Sequence, residues 1–398
     1  MNALLLGAGA SFECGLPLID ELTVTLKNVL TIKKLKEYKP DFYDECIDMI
    51  QKMYQSNMHY ESMVGYFEVL SNHSHDNIIR EMADSSRVYF IQAIHMLLLE
   101  LHVKNQLYCL HSINAFAGLK NLLNSDGPLW VFSLNHDLIM EMVFAKYAIP
   151  YKTGFWDSKR LNVNSYSSKN IILVEELTRK EIDANNFDFF RNRECGVNLI
   201  KLHGGLDIFA VNDGKDYIKV VTEQNNPSSG LDAVKKILDV DMQIANHDKT
   251  HVTNVHCYLD DKNVIQFLRN SLLTGAHKFT DRNTQIIPPE FLSQFKLNIN
   301  YADHLICIGY GFGDNHVNKV ITEWLSFNGR SLTIVDPFRK DVPSCIAHLS
   351  LRVTIINKRT TEYFIELSDE DAVYKNNLLN QFGIKSQLRN KLRENLIK

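Results

Sequence analysis

Asn135-His136-Asp137 and His203-Gly204-Gly205 are two short turns in this sequence whose side chains could move a proton or orient a water. A histidine titrates at about pH 6.5 and is the common general base near neutrality. An asparagine amide can hold a sugar hydroxyl or aim a water molecule. Plainer roles are open to both turns: Asn135 and Asp137 suit a helix cap or Asx-turn, and a histidine beside two glycines suits an ordinary bend. Two glycine-rich turns accompany them, Gly7-Ala8-Gly9-Ala10-Ser11 (with Gly15 and Pro17 close behind) and Gly309-Tyr310-Gly311-Phe312-Gly313-Asp314. Glycines permit tight bends and let an anionic oxygen reach backbone N–H groups, so the first turn could cradle a pyrophosphate or simply end a strand, and two such turns in one sheet suit the backbone approach a dinucleotide needs along its length. The first is not the dehydrogenase fingerprint. Phe12 stands at its third glycine position, and no second strand with a ribose-binding acid follows at the usual distance. A competing set, His247, His251 and His256, has its first two members spaced to share a helical face but lacks a clear third ligand at helical spacing. His73 and His75 read as solvated loop residues.

Each turn follows an apolar run that reads as a buried strand. Runs at 3–6, 129–133, 198–202, 304–308 and 331–335 end near Gly7, Asn135, His203, Gly309 and Asp336, and a last run covers 351–356. Pro17 with Leu18, Leu22 and Leu26 predicts a helix with proline in its first turn. Further helices are predicted over 138–147 and from Asn315 onward. Residues 33–123 carry helical periodicity and few strand signals, which predicts a helical insertion. Strands alternating with helices imply an α/β, Rossmann-like fold, with a mostly parallel sheet and helices on both faces. Ligands bind such sheets beyond the carboxyl ends of the strands, where all these turns lie. The polar stretch 223–230 suits a flap, and the charged, leucine-dotted tail suits a solvated or partner-binding helix.

The totals narrow the function classes. The 398 residues, 45% hydrophobic and 23% charged, can bury one large core or two modest ones. A net charge of −4 argues against a general polyanion binder, so direct nucleic-acid binding is not expected. No apolar stretch approaches the roughly 20 residues of a membrane helix, and the run at 3–6 lacks the length and basic lead-in of a signal peptide. Seven scattered cysteines without a Cys-x-x-Cys pair fit free thiols in a reducing cytoplasm, and no metal is expected.

Four blocks occur in the order seen in sirtuins: Gly7-Ala-Gly-Ala-Ser11 with Gly15-Leu-Pro17, Ser133-Leu-Asn-His-Asp137, Lys201-Leu-His-Gly204, and Ile308-Gly-Tyr-Gly-Phe-Gly-Asp314. Their wording resembles the sirtuin-like NAD-consuming effectors of bacterial anti-phage defence. The resemblance spans residues 1–360, as a catalytic domain carrying the insertion, and leaves 361–398 as a charged helical tail. It implies that Gly7, Ala8, Gly9 and Ser11 lie against the NAD phosphates and adjoining ribose. Asn135 would hold the nicotinamide ribose and orient the attacking water, Asp137 would lie near the carboxamide, and His203 would be the base or polar catalytic partner. Gly309 and Gly311 would border the adenosine half, and Asp336 would reach its ribose.

Two departures from the family's deacylases sharpen the expectation. Leu18-Ile19-Asp20 stands where they carry Asp-Phe-Arg, and the two cysteine pairs of their zinc module are missing. Without the parts that frame an acyl-lysine channel, water is left as acceptor. The expected activity is hydrolysis of NAD to nicotinamide and ADP-ribose; the alternatives are protein deacylation or ADP-ribosyl transfer, and non-catalytic sensing of NAD or ADP-ribose. Replacing Asn135 by Ala is expected to abolish turnover with little loss of stability. Because unrestrained hydrolysis would be toxic, control by homo-oligomerisation or a second polypeptide is expected. Related compact systems imply a HerA-type DNA-translocating ATPase as that partner.

Overall fold

A computed structural model describes residues 1–38, 44–124, 126–272 and 290–397. Its described strands form two sheets. They are β1 (Asn2–Leu6), β2 (Leu129–Ser133), β3 (Tyr151–Lys152), β4 (Trp156–Asn162), β5 (Ile171–Leu177), β6 (Val197–Lys201), β7 (Ile208–Val211), β8 (Asp216–Val220), β9 (Val255–Leu259), β10 (Ile265–Asn270), β11 (His304–Ile308), β12 (Ser331–Val335) and β13 (Val353–Ile356). The first sheet has seven strands in the order β13-β12-β11-β1-β2-β6-β3. All its pairings are parallel. Leaving aside the two-residue edge strand β3, this is the doubly wound order in which the chain builds outward from β1 in one direction, then returns to build in the other.

Period-two alternation assigns the two faces. Leu5, Phe132, Ile200, Cys307 and Ile334 face one core, against the helices Glu290–Asn298 and Asn315–Leu325. Leu4, Val131, Leu199, Ile306 and Val335 face the other, against Ile139–Lys146, Thr360–Leu367 and the start of the tail helix Ala372–Ile397. Both faces are covered, which is why the central strands read as unbroken apolar runs. The α/β fold with helices on both faces is therefore the one the sequence implies.

The helical insertion is present, running from Ile32–Tyr38 through the long helix Asn77–Lys104 to the 3-10 stretch Ile113–Leu122, with residues 39–43 outside the described residues. It has a core of its own, centred on Phe67, Phe90 and Ile94. The helix after Pro17 spans Ile19–Val29, so the proline precedes the helix instead of entering its first turn; the Glu21 carboxylate accepts the Leu18 N–H at 2.9 Å. A second sheet is unanticipated: six antiparallel strands, ordered β4-β5-β8-β7-β10-β9, packed on the helix Ser229–Asp248. No helix among the described residues is long and apolar enough to cross a membrane.

Candidate functional site

The chain reverses its direction of building between β1 and β11, and the crevice beyond that switch point is where doubly wound sheets bind ligands. The turns after these two strands touch there. Gly7 N–H donates to Ile308 O and Gly9 N–H to Gly309 O, each at 3.0 Å. A Cβ on Gly7 would lie 2.6 Å from Gly309 O, and one on Gly9 2.7 Å from Gly309 Cα. Gly309 itself has φ +61°, and a Cβ there would lie 2.3 Å from Ala10 N. Gly7, Gly9 and Gly309 thus lack side chains first of all because two backbones interlock. Gly311 differs: it is exposed, and a Cβ on it would meet nothing within 4 Å. Ala8 and Gly9 keep part of their surface at the rim.

The β2 exit fastens to this turn. The Asn135 amide donates to Gly7 O at 2.9 Å and to Ser11 Oγ at 3.0 Å. Both amide hydrogens are thereby committed, leaving Oδ1 as the polar atom of Asn135 for other contacts. Asp137 accepts the Ile139 N–H at 3.0 Å, an Asx-turn one residue ahead of the helix N-cap Leu138. Burial raises its carboxyl above the ordinary range, opposed by hydrogen bonds from Ser11 and Ile139 and by the Lys201 charge. Ser11, Ser133, Asn135, Asp137 and Lys201 line a small cavity with room for about one water. Because Asn135 is 9% exposed and holds two partners, its removal would cost stability as well as chemistry, contrary to the expectation from sequence.

The β6 exit brings in His203, which is 3% exposed. Its Nε2 lies 3.2 Å from His316 Nε2 and 3.9 Å from Asp314 Oδ1. Asp314 precedes the helix Asn315–Leu325 without its side chain capping it. Donor atoms of His203, Asp314 and His316 all lie within 4.8 Å of one another, a set able to hold a metal ion. His316 was not among the sequence candidates. Only the fold brings it to a residue 113 positions earlier.

Behind both exits lies a buried ion cluster. Lys201 Nζ sits 2.9 Å from both Glu141 and Asp207, and Lys219 from the second sheet sits 3.1 Å from Glu141 and also pairs with Asp207. All four side chains are at most 2% exposed. Lys201 also donates to Asp137 O at 2.7 Å. Burial alone would raise Asp207, but Lys201 and Lys219 outweigh it and hold its carboxyl down at about 2. The cluster balances its charges and ties the two sheets together, with Lys201 joining it to Asp137.

Asp336 is placed beside the crevice, and its carboxylate is largely occupied. It accepts the N–H groups of Phe338 at 2.8 Å and Arg339 at 3.2 Å, and lies 3.7 Å from Arg339 Nε. Arg339 in turn lies over the Phe312 ring at 5.2 Å and reaches Gly311 O at 3.5 Å. Its cation is thus held beside the β11 turn, another feature the sequence did not single out. The alternative histidine set does not converge. The helix ends at Asp248, so His247 and His251 do not share a helical face; they bond Asp248 and Gln92, while His256 on β9 bonds Asp241. The stretch 223–230 is a folded turn closed by Ser229 Oγ, which accepts the Glu223 N–H.

No protein-family model matches the chain, and no curated protein matches it. Among solved structures it is similar to Sir2 crystallised with the inhibitor EX-527, 2'-O-acetyl-ADP-ribose and a deacetylated p53 peptide, at 12% identity over 92% of both chains and a TM-score of 0.32.

Proposed function

We propose that this chain hydrolyses NAD+ to nicotinamide and ADP-ribose in the crevice at the switch point. One observation carries the reading: the glycine turns of β1 and β11 interlock there, with the Asn135 amide fastened to one and His203 beside Asp314 on the other. The order of the four sequence blocks supplies the choice of NAD+ within the wider class of dinucleotides. Gly7, Ala8, Gly9 and Ser11 line the phosphate side, Gly309 and Gly311 the adenosine side with Asp336 beyond, and Asp137 the carboxamide.

Cleavage of the nicotinamide–ribose bond builds positive charge on the sugar, so the site needs fixed dipoles and few waters more than a strong acid. Asn135 Oδ1 is an acceptor whose orientation is locked by the two bonds its amide nitrogen donates. It holds the ribose hydroxyls and the attacking water. His203, in its neutral form, accepts the proton that water gives up as its oxygen bonds to C1′ and nicotinamide departs.

The reading extends to cytoplasmic anti-phage defence, with activity held back until a partner of the HerA-type ATPase kind or self-assembly releases it. The helical insertion and the tail are the surfaces for such control; Ile384, Leu388 and Leu392 of the tail are each more than half exposed. The deciding experiment is incubation of purified protein with NAD+, alone and with its genomic neighbour, following nicotinamide release. Asn135→Ala and His203→Ala should each release none while remaining folded by circular dichroism. Full turnover by either, under conditions that activate the parent, refutes the assignment.

A further inference from the structure

We infer that His203, Asp314 and His316 bind a divalent transition-metal ion of the zinc class, and that this ion switches the site off. Binding stands on the geometry alone; the consequence for hydrolysis rests on the function proposed above. Two nitrogens bound at about 2.0–2.1 Å to a tetrahedral ion lie about 3.3 Å apart. The His203 and His316 Nε2 atoms are separated by 3.2 Å, which is an edge of that tetrahedron. The Asp314 oxygen stands 3.9 Å from His203 Nε2, and all three donor atoms lie within 4.8 Å of one another, so closure onto an ion asks for an inward movement of the carboxylate.

The donor set has the right chemistry. Two imidazoles and one carboxylate are the ligands of open zinc sites, which leave one position for water, and imidazole favours zinc, copper and nickel over magnesium or calcium. The scaffold is stiff on both sides. His203 is nearly fully buried two residues beyond Lys201 of the ion cluster, and Asp314 and His316 flank the start of an eleven-residue helix. Asp314's turn is further fixed by Tyr310, whose hydroxyl donates to Asn318 Oδ1 at 2.9 Å, and by Asn318, which donates to Phe312 O at 2.9 Å.

An ion here would take the Nε2 lone pair that His203 needs to accept a proton. Metal and catalysis therefore compete for one atom, and free metal becomes an inhibitor of a toxic activity.

Cobalt(II) titrated into metal-free protein should give the visible absorption of a low-symmetry, four-coordinate ion at one equivalent, displaced by zinc. His316→Ala and Asp314→Asn should each weaken binding by about 100-fold or more, with unchanged circular dichroism. His316 is partly exposed, so both variants are expected to fold. Absence of binding, or binding unchanged in both variants, overturns the site. Zinc should also suppress nicotinamide release with the midpoint of cobalt displacement. Full turnover at saturating zinc would overturn the inhibitory role, and with it His203 as base, while the ion's binding stands. Conversely, no metal binding together with an inactive His203→Ala overturns the metal site and leaves hydrolysis intact.

Discussion

The crevice has two unlike walls. The wall made by the β1 and β11 turns is backbone on backbone, specified by side chains that are missing. The wall made by the β2 and β6 exits is built of side chains, Asn135, Asp137 and His203, seated on four buried charges. The first wall tolerates almost no added atom. The second tolerates no missing partner. Their failures should therefore differ in kind, and that difference can be tested.

The largest effect is expected on the backbone wall. Gly309→Ala must hold a side chain at φ +61° with its Cβ 2.3 Å from Ala10 N, and loss of about 4 kcal/mol or more, or failure to fold, is expected. Gly311→Ala, two residues on in the same motif, meets nothing within 4 Å and should stay within about 0.5 kcal/mol in urea unfolding. Equal costs at the two positions would erase the distinction between glycines that pack and glycines that leave a surface open.

The side-chain wall should respond to a broken pair. Lys219→Met leaves Asp207 and Glu141 sharing one lysine in a site at most 2% exposed, and a loss of about 3–5 kcal/mol is expected. Adding Asp207→Leu restores the charge balance, and the double variant should recover most of that loss. A double variant no better than the single one would show that the cluster acts by packing and not by charge.

Acid should attack the same wall through His102. Its Nε2 accepts the Leu138 N–H at 3.2 Å, at the start of the helix that follows Asp137. Burial lowers this histidine to about 4, with the Lys201 charge helping. Between the ordinary value of about 6.5 and about 4 the unfolded chain takes up the proton and the folded chain does not. Stability is thus complete above pH 6.5 and falls as pH drops through this window, by about 3 kcal/mol. Burial lowers His95 too, which adds in the same direction. Asp207, held at about 2, keeps its contribution until pH falls below the ordinary carboxylate range and then loses it towards 2. Urea midpoints measured from pH 7 to 4 check the histidine window, where His102→Gln should flatten the slope, and midpoints from pH 4 to 2 check the Asp207 window.

These contrasts also mark what could be read from sequence. The strands β1, β2 and β11 are covered on both faces and read as apolar runs ended by a polar or glycine turn, and β6 and β12 are mostly apolar, so the parallel sheet was legible. The second sheet was not. β4 is Trp-Asp-Ser-Lys-Arg-Leu-Asn and mostly exposed, and half of β10 is exposed as well; such strands owe their existence to partners across the sheet. Asn135 and His203 were visible because strand ends concentrate function. The pairing of His203 with His316, and the Lys201–Glu141–Asp207–Lys219 cluster, depend on adjacency that no local pattern encodes. The reading of Gly7 and Gly9 as openings for phosphate, and of Gly309 as a border of the adenosine half, did not include a competing cause, since contact between two turns demands the same residue.

A smaller effect is expected at Asn135. Its alanine variant deprives Gly7 O and Ser11 Oγ of a donor where the two walls meet, a loss of about 2 kcal/mol that thermal unfolding can separate from lost turnover.

The smallest effects are expected where the tail helix braces the backbone wall from behind. Arg389 pairs with Glu21, which is 2% exposed, donates to Leu16 O at 3.2 Å and lies 4.6 Å over the Phe12 ring. Four residues on, Arg393 pairs with Asp20 in a setting about a third exposed on either side. The two ion pairs look alike in sequence but differ in solvent. Arg389→Ala strips a buried carboxylate and an aromatic face of their cation, and about 1–2 kcal/mol is expected. Arg393→Ala removes a pair that water already screens, and should cost under about 1 kcal/mol and less still in high salt. If the two variants unfold at the same urea concentration, the tail is merely resting on the surface, and the backbone wall ends at its own glycines.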